Sequence, residues 1–285
     1  MYVENLLSIK ETKAMMLELL TDFSSFCNSH QLRYILGYGT CLGAARHKGF
    51  IPWDDDIDVC MPYEDYLSFL RLYRGKHVLF TCKKFKYAYP FGKLVYANTR
   101  GRIKSAIDTF GVFIDIFPMF MIDTHKYAAV FSKLRRCQFK LSSIYRVPVA
   151  PPPTDYYKSL GYGFIAVRKT KHAIIYFVKR LRVFWFPQLI YCRKLIHLLT
   201  LAKGGDGYVG PDESLFDSPR IIFPTDLFNE PTPMEFEQHT FAGPTNVSDY
   251  LERCYGPGYM PPPPPNERRS HGYSFYRTPN KTKNR

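Results

Sequence analysis

Seven consecutive residues, Trp53-Asp54-Asp55-Asp56-Ile57-Asp58-Val59, constrain this chain more than any other stretch. Side chains alternate along a strand, so Asp56 and Asp58 share one face while Ile57 and Val59 share the other. The two apolar residues are expected in a core, which leaves the two carboxylates together in a cleft. At about 4 Å and a surface-like dielectric, two such charges repel by roughly 4 kcal/mol. A divalent cation removes that repulsion, and an oxygen-only ligand set suits Mg²⁺ or Mn²⁺. Two plainer readings compete. Asp54, Asp56 and Asp58 have the spacing of the first ligands of an EF-hand loop, but Val59 stands where that loop needs Gly and Asp65 where it needs Glu. The other is a solvated acidic turn, for which Ile51, Pro52, Trp53 and Ile57 are poor company.

A lone acid interrupts the apolar run Phe113-Ile114-Asp115-Ile116-Phe117. It reads either as a third metal ligand, set beside Asp56 and Asp58 by strand pairing, or as an edge-strand Asp facing water. Upstream, Gly37-Tyr38-Gly39-Thr40-Cys41-Leu42-Gly43 reads as a glycine turn before a helix, whose backbone N–H groups can approach phosphates. Around these motifs the pattern alternates between helix and strand. Ser8 and Glu11 have capping-box spacing ahead of a helix carrying Met16, Leu19, Leu20, Phe23 and Phe26 on one side. Leu32 to Leu36 reads as a strand. Thr40 is expected to cap a helix running through Arg46, before a turn at Lys48-Gly49. Ile57 to Met61 reads as a strand, with Pro62 as the first residue of the following helix. Val78 to Cys82, Gly92 to Ala97 and Val112 to Phe117 are further strands. The order predicts an α/β or α+β core with a mixed sheet.

Charge is distributed unevenly. The 285 residues carry a net charge of +14. Residues 124–205 hold sixteen Lys and Arg against the single Asp155, so the rest of the chain is close to neutral. Cations alternate there with large apolar residues, as in Ile174 to Phe186 and Leu189 to Lys203, the pattern of basic helices that lie on anionic membrane surfaces. The plainer alternative is a helical subdomain with solvated cations. No RRM, KH or zinc-knuckle motif supports RNA, so nucleic acid is set aside. Three parts are expected: a catalytic core over 1–123, a basic, mainly helical insertion over 124–205, and a part over 206–285 that completes the core. The seven cysteines form no CxxC pair, and their odd number fits neither a disulfide framework nor a zinc ribbon. No basic start followed by an apolar run opens the sequence, and no apolar stretch reaches bilayer length. A cytoplasmic protein, at most peripheral on the inner face of the membrane, is the expectation.

The run from Leu36 through Gly43 to His47-Lys48-Gly49-Phe50-Ile51-Pro52-Trp53-Asp54-Asp55-Asp56-Ile57-Asp58 closely resembles the central motif of the LicD family of phosphocholine transferases, with fukutin and fukutin-related protein as distant relatives. The likeness continues through Phe113 to Pro118 and through Tyr250-Leu251, Tyr255-Gly256 and Met260-Pro261-Pro262. It leaves the basic middle poorly matched. The resemblance implies a nucleotidyltransferase fold and transfer of a phospho-alcohol from a CDP-linked donor to a sugar of a cell-surface glycan, such as lipopolysaccharide, teichoic acid or capsule. Carried over by position, Asp56, Asp58 and Asp115 would hold Mg²⁺, with Asp54 as an additional ligand. Gly39 and Thr40 would contact donor phosphates, with Arg46, Lys93 and Arg100 as further phosphate contacts. Arg268 and His271 would touch substrate. Pro261 to Pro265 is a longer proline run than the family pattern leads one to expect. Two alternatives stay open: nucleotidyl transfer to RNA or a small molecule, and a catalytically inactive membrane-surface scaffold.

Overall fold

The computed structural model describes residues 5–81, 89–103, 110–145, 185–211, 221–268, 270 and 272–278. Residues 146–184 of the basic middle, including Lys179, Arg180 and Arg182, fall outside them, as do Cys82 and His271.

The first helix, α1 (Ile9–Ser29), begins where its cap dictates: Ser8 Oγ accepts from Glu11 N–H, and the Glu11 carboxylate accepts from Ser8 N–H at 2.9 Å. Met16, Leu19, Leu20 and Phe23 are fully buried along one face of it. Each such side chain adds about 1.5–3 kcal/mol through burial. After the short strand β2 (Ile35–Leu36) comes α2 (Tyr38–His47), and here the expectation needs correcting. The N-cap is Gly37, not Thr40. A Cβ on Gly37 would lie 2.9 Å from Cys60 Sγ, so only glycine lets the chain turn this close to the next strand. Thr40, one turn inside the helix, has its hydroxyl engaged elsewhere. The helix ends at Lys48, which takes a left-handed conformation (φ 54°) and donates its N–H to Ala44.

Strand β3 (Asp58–Pro62) starts one residue later than its hydrophobic pattern suggests, and Pro62 closes it while serving as N-cap of α3 (Tyr63–Leu72). Strands β4 (Val78–Phe80), β5 (Gly92–Val95) and β7 (Phe113–Ile122) complete the principal sheet, whose order is β2-β3-β7-β5-β4, with β8 (Gly207–Val209) pairing the far end of β7. Only β3 and β7 run parallel; the other pairs are antiparallel. The sheet is mixed and carries helices, in keeping with the expected α/β class. Strand β7 runs on to Ile122, past the Phe117 end expected from sequence, and so passes through Pro118. Its nitrogen faces the side where β5 has ended, at Gly92↔Ile116, and β8 has not begun, at Phe120↔Val209. The missing N–H therefore costs no ladder bond.

A second sheet joins β1 (Asn5–Leu6), β11 (Tyr273–Arg277) and β6 (Thr99–Ile103), while β9 (Thr232–Phe236) and β10 (His239–Gly243) form a hairpin. Helix α6 (Val247–Tyr255) closes over α2 and sends the fully buried Tyr250 into the main core, where its hydroxyl accepts from Tyr38 N–H at 3.0 Å. Helices α4 (Thr124–Tyr145) and α5 (Trp185–Leu201) pack on each other around a second apolar cluster that includes Leu134, Cys192, Leu195 and Leu199. Among the described residues no helix is long and apolar enough to cross a membrane.

Candidate functional site

The carboxylates meet where β3 and β7 begin side by side. The parallel register sets Asp58 opposite Asp115, and Asp115 N–H donates to Ile57 O at 2.8 Å. Strand β7 lies between β3 and β5, so Asp115 belongs to an interior strand, which removes the edge-strand reading. Helix α2 fixes Asp58 from the other side: Gly37 N–H donates to Asp58 O at 2.9 Å, and Asp58 N–H donates to Thr40 Oγ1 at 2.8 Å. Thr40 therefore accepts from the acidic strand and keeps its own hydroxyl proton to donate. Gly39 lies directly against the motif, since a Cβ there would come 2.8 Å from Asp54 Oδ2. Tyr38 adopts φ 36°, a backbone conformation that a bulky side chain rarely takes, at the point where the glycine turn meets the cleft.

Electrostatics at this point is dominated by like charge. Burial first, then Asp56, Asp115 and Asp54, push the Asp58 carboxyl well above the ordinary carboxylate range, with the Lys93 ammonium opposing them. Tyr273 lines the same cleft, and its hydroxyl is pushed up by burial and by Asp115, Asp56 and Asp55. An oxygen-only, strongly anionic set of this kind fits a hard divalent cation in charge and donor type. Its side chains do not stand closed around an ion: among the described residues no three His, Cys, Asp or Glu are arranged to hold a metal.

Lys93 is placed differently from a surface phosphate contact. Facing Asp115 across the β5–β7 pair, its ammonium bonds both carboxylate oxygens, Oδ2 at 2.7 Å. Both side chains are buried, at 6% and 10% exposure. The same ammonium lies 3.6 Å from the centroid of Phe113 and 5.4 Å from that of Phe91. Lys93 is thus the counter-charge of the innermost carboxylate, held in an aromatic wall. Arg100, on β6 opposite Tyr276, belongs to the second sheet.

Asp55 turns away from its neighbours. Its Oδ2 accepts from Ser270 Oγ at 2.9 Å, Gly272 N–H at 3.1 Å and Tyr273 N–H at 3.3 Å, latching the start of β11 to the acidic loop. No local pattern signals this latch, because its partners lie more than two hundred residues away. Trp53 was equally silent: its indole packs beneath two guanidiniums, with Arg268 Cζ at 4.4 Å and Arg46 Cζ at 5.8 Å from the ring centroid. Arg46 also donates Nε–H to His47 Nε2 at 3.0 Å and Nη1–H to Tyr259 O at 3.4 Å. Burial and the neighbouring Arg268 lower its proton affinity, against Tyr255. Asp54, Asp56, Asp58, Asp115, Gly39, Thr40 and Lys93 therefore gather at one cleft, with Arg46 and Arg268 paired at Trp53 beside it. His271 lies outside the described residues.

Residues 31–151 match the family model described as "LicD/FKTN/FKRP, nucleotidyltransferase domain". Among curated proteins, the chain is similar to the lipopolysaccharide cholinephosphotransferase LicD of Haemophilus influenzae, 47% identical over 64 residues, which is 22% of this chain and 24% of that protein. It is also similar to an uncharacterized protein of Rickettsia typhi, 37% identical over 78 residues, covering 24% of this chain and 25% of the relative. A second uncharacterized protein, of Rickettsia prowazekii, is 40% identical over 48 residues, 17% of this chain and 18% of its own length. The chain thus spans about a quarter or less of the length of the relatives it matches.

Proposed function

We propose, because residues 31–151 of this chain match the LicD family model, that the protein is a Mg²⁺-dependent phosphotransferase moving a phospho-alcohol, phosphocholine-like, from a CDP-linked donor to a sugar hydroxyl of a cell-surface glycan or glycolipid. The observation that carries the reading is the convergence of Asp54, Asp56, Asp58 and Asp115, in which burial and mutual repulsion make Asp58 hard to ionise without a cation. These four residues would hold the ion. When bound, Mg²⁺ would neutralise the donor diphosphate and the departing CMP.

The chain's own groups supply the rest. Thr40, whose Oγ1 already accepts from Asp58 N–H, is oriented to donate its proton to a donor phosphate, beside the backbone of Gly39. Lys93 bonds both oxygens of Asp115 and fixes its direction. A carboxylate oxygen of the cluster takes the proton of the acceptor hydroxyl as the hydroxyl oxygen bonds to phosphorus and the bond from phosphorus to the CMP oxygen breaks. Helices α4 and α5, which carry exposed cations and no acidic residue, would face a lipid-linked acceptor at an anionic membrane surface on the cytoplasmic side.

The test is incubation with CDP-choline, CDP-ribitol and CDP-glycerol, each with Mg²⁺ and a glycan acceptor, followed by measurement of CMP release. Release that depends on acceptor and metal, and that Asp56→Asn and Asp58→Asn abolish, is expected. Release of pyrophosphate from CTP or ATP, with no CMP from any CDP-alcohol, would replace the reading with nucleotidyl transfer.

A further inference from the structure

A cavity of about 500 Å³ opens at the far end of β3 and β7, where the main core meets the α4–α5 pair. Asp58 and Asp115 start from one end of that strand pair, while Pro62 and Met119, four residues further on, line the cavity. About 13 Å of strand therefore separates it from the carboxylates. Its volume falls in the range of small-molecule sites. The floor is buried and apolar: Met119 and Tyr208 belong to the main cluster, Phe120 and Leu199 to the second. Tyr63 packs on both clusters and stacks on Phe120, with ring centroids 4.2 Å apart, and half-buried Met121 completes the wall.

Charge keeps to the rim. Lys203 Nζ meets Glu64 Oε1 at 2.7 Å, tying the end of α5 to the start of α3, and Arg33 Nε meets Asp65 Oδ2 at 2.8 Å. The Lys203–Glu64 bridge is exposed at both ends, so it holds the mouth only weakly. Thr200 turns its hydroxyl away, donating to His197 O at 2.8 Å. A guest on the floor meets rings, thioethers and a leucine, where a polar group would lose its water for little in return. A hydrocarbon chain gains there, and two unbranched methionines can repack around it. The two rim cations suit an anionic head on that chain. Its source is indicated by α5, which brings Leu199 and Thr200 to the cavity. The same helix exposes Ile190 and Leu201 beside Arg193 and Lys194 and carries no acidic residue. Exposed cations set among exposed apolar side chains are the chemistry of an anionic bilayer surface.

We propose that this cavity binds one acyl chain of an anionic lipid drawn from the membrane surface, with the head-group phosphate displacing Glu64 from Lys203 and meeting Arg33 at the mouth. The site is separate from the carboxylate cleft and independent of the transferase reading. It rests on the membrane-surface reading for the source of the lipid alone.

Isothermal titration calorimetry of the whole protein with hexyl, octyl, decyl and dodecyl phosphate, each below its micelle-forming concentration, tests the site without vesicles or turnover. Affinity should rise about tenfold for every two methylenes until the cavity is full, with a negative heat-capacity change. Inorganic phosphate should not compete, and decyltrimethylammonium should bind at least tenfold more weakly than decyl phosphate. Met121→Trp, which fills the cavity, should weaken decyl phosphate binding tenfold or more, and Lys203→Gln should weaken it several-fold. In the unmodified protein, affinity that does not change with chain length overturns the proposal, as does equal affinity for decyltrimethylammonium. Parent-like binding by Met121→Trp overturns it as well. Phosphatidylglycerol vesicles then identify the source: Met121→Trp keeps every cation of α4 and α5, yet should co-sediment several-fold less than the parent. Undiminished co-sedimentation, or a parent that stays in the supernatant while decyl phosphate binds, overturns the bilayer as the source of the chain. None of these readouts involves CMP release, so the transferase reading stands or falls apart from them.

Discussion

Replacing Lys93 with Met keeps the apolar stem and removes the ammonium, leaving Asp115 without the partner that bonds both of its oxygens. The pair is buried, at 6% and 10% exposure. Water can therefore do little to replace the lost charge. Breaking a buried ion pair from one side costs about 3–5 kcal/mol, most of it the penalty of the stranded charge. The loss should be felt in full here, because Asp58, opposite Asp115 in the register, offers no compensating positive charge. Equilibrium urea unfolding in EDTA at neutral pH, followed by far-UV circular dichroism, measures it. A slope of about 2–3 kcal/mol per molar urea turns the penalty into a midpoint lowered by roughly 1–2.5 M. The double variant Lys93→Met/Asp115→Leu removes both charges and should recover most of the difference, since an apolar replacement of a buried pair is often neutral or stabilising. A single variant within about 1 kcal/mol of the parent would refute the counter-charge role. A double variant no more stable than the single one would show that the loss comes from packing and not from charge.

Asp58→Asn should have the opposite sign: in EDTA its melting temperature should equal or exceed that of the parent, because one member of a repelling set is gone, while CMP release is lost. Asp55→Ala removes a carboxylate oxygen that accepts three hydrogen bonds from residues 270–273, and should cost about 1.5–3 kcal/mol, with the loss of hydrogen-exchange protection concentrated in β11. His77 is 6% exposed, neither ring nitrogen has a hydrogen-bond partner among the described residues, and burial pushes its protonation below the usual histidine value. The unfolded chain then takes up a proton that the fold refuses, so this contribution to stability is complete above about pH 6.5 and is lost as the pH falls toward the folded value; His77→Phe should flatten that part of the stability profile. Helices α4 and α5 carry Lys133, Arg135, Arg136, Arg193 and Lys194 exposed and contain no Asp or Glu, so the protein should co-sediment with anionic vesicles at low salt, and Gln at all five positions should abolish that; a parent that stays in the supernatant would refute the membrane reading.

What the sequence disclosed, it disclosed through local rules. The Ser8 capping box, the alternation across Asp56 and Asp58 and the lone acid at Asp115 each express a period or a spacing that needs no knowledge of the rest of the chain. The N-cap of α2 was misplaced because the usual preference for Thr over Gly ignores what the hydroxyl does in three dimensions. Thr40 serves Asp58, and Gly37 is demanded by Cys60 on the next strand. Strand β7 continues through Pro118 for a similar reason, since whether a proline breaks a strand depends on which neighbour its nitrogen faces.

The contacts that local sequence does not show share one physical cause. Lys93 meets Asp115 only through the β5–β7 register, Asp55 meets β11 from the other end of the chain, and Arg268 reaches Trp53 across 215 positions. In each case a charged group meets a partner that no sequence window contains. The division also separates two tasks within the site. Residues that meet the chemistry directly, Asp56, Asp58, Asp115, Gly39 and Thr40, come from motifs whose spacing is fixed by a strand start and a helix start. Those that hold these residues in place are drawn from the C-terminal part and from the antiparallel neighbour, where many side chains could serve and the sequence is correspondingly uninformative. A carboxylate cluster with Asp58 resisting ionisation cannot hold itself together, so its supports must come from elsewhere in the fold: an ammonium behind Asp115, backbone amides on Asp55 and a helix N-terminus against Asp54 and Asp58.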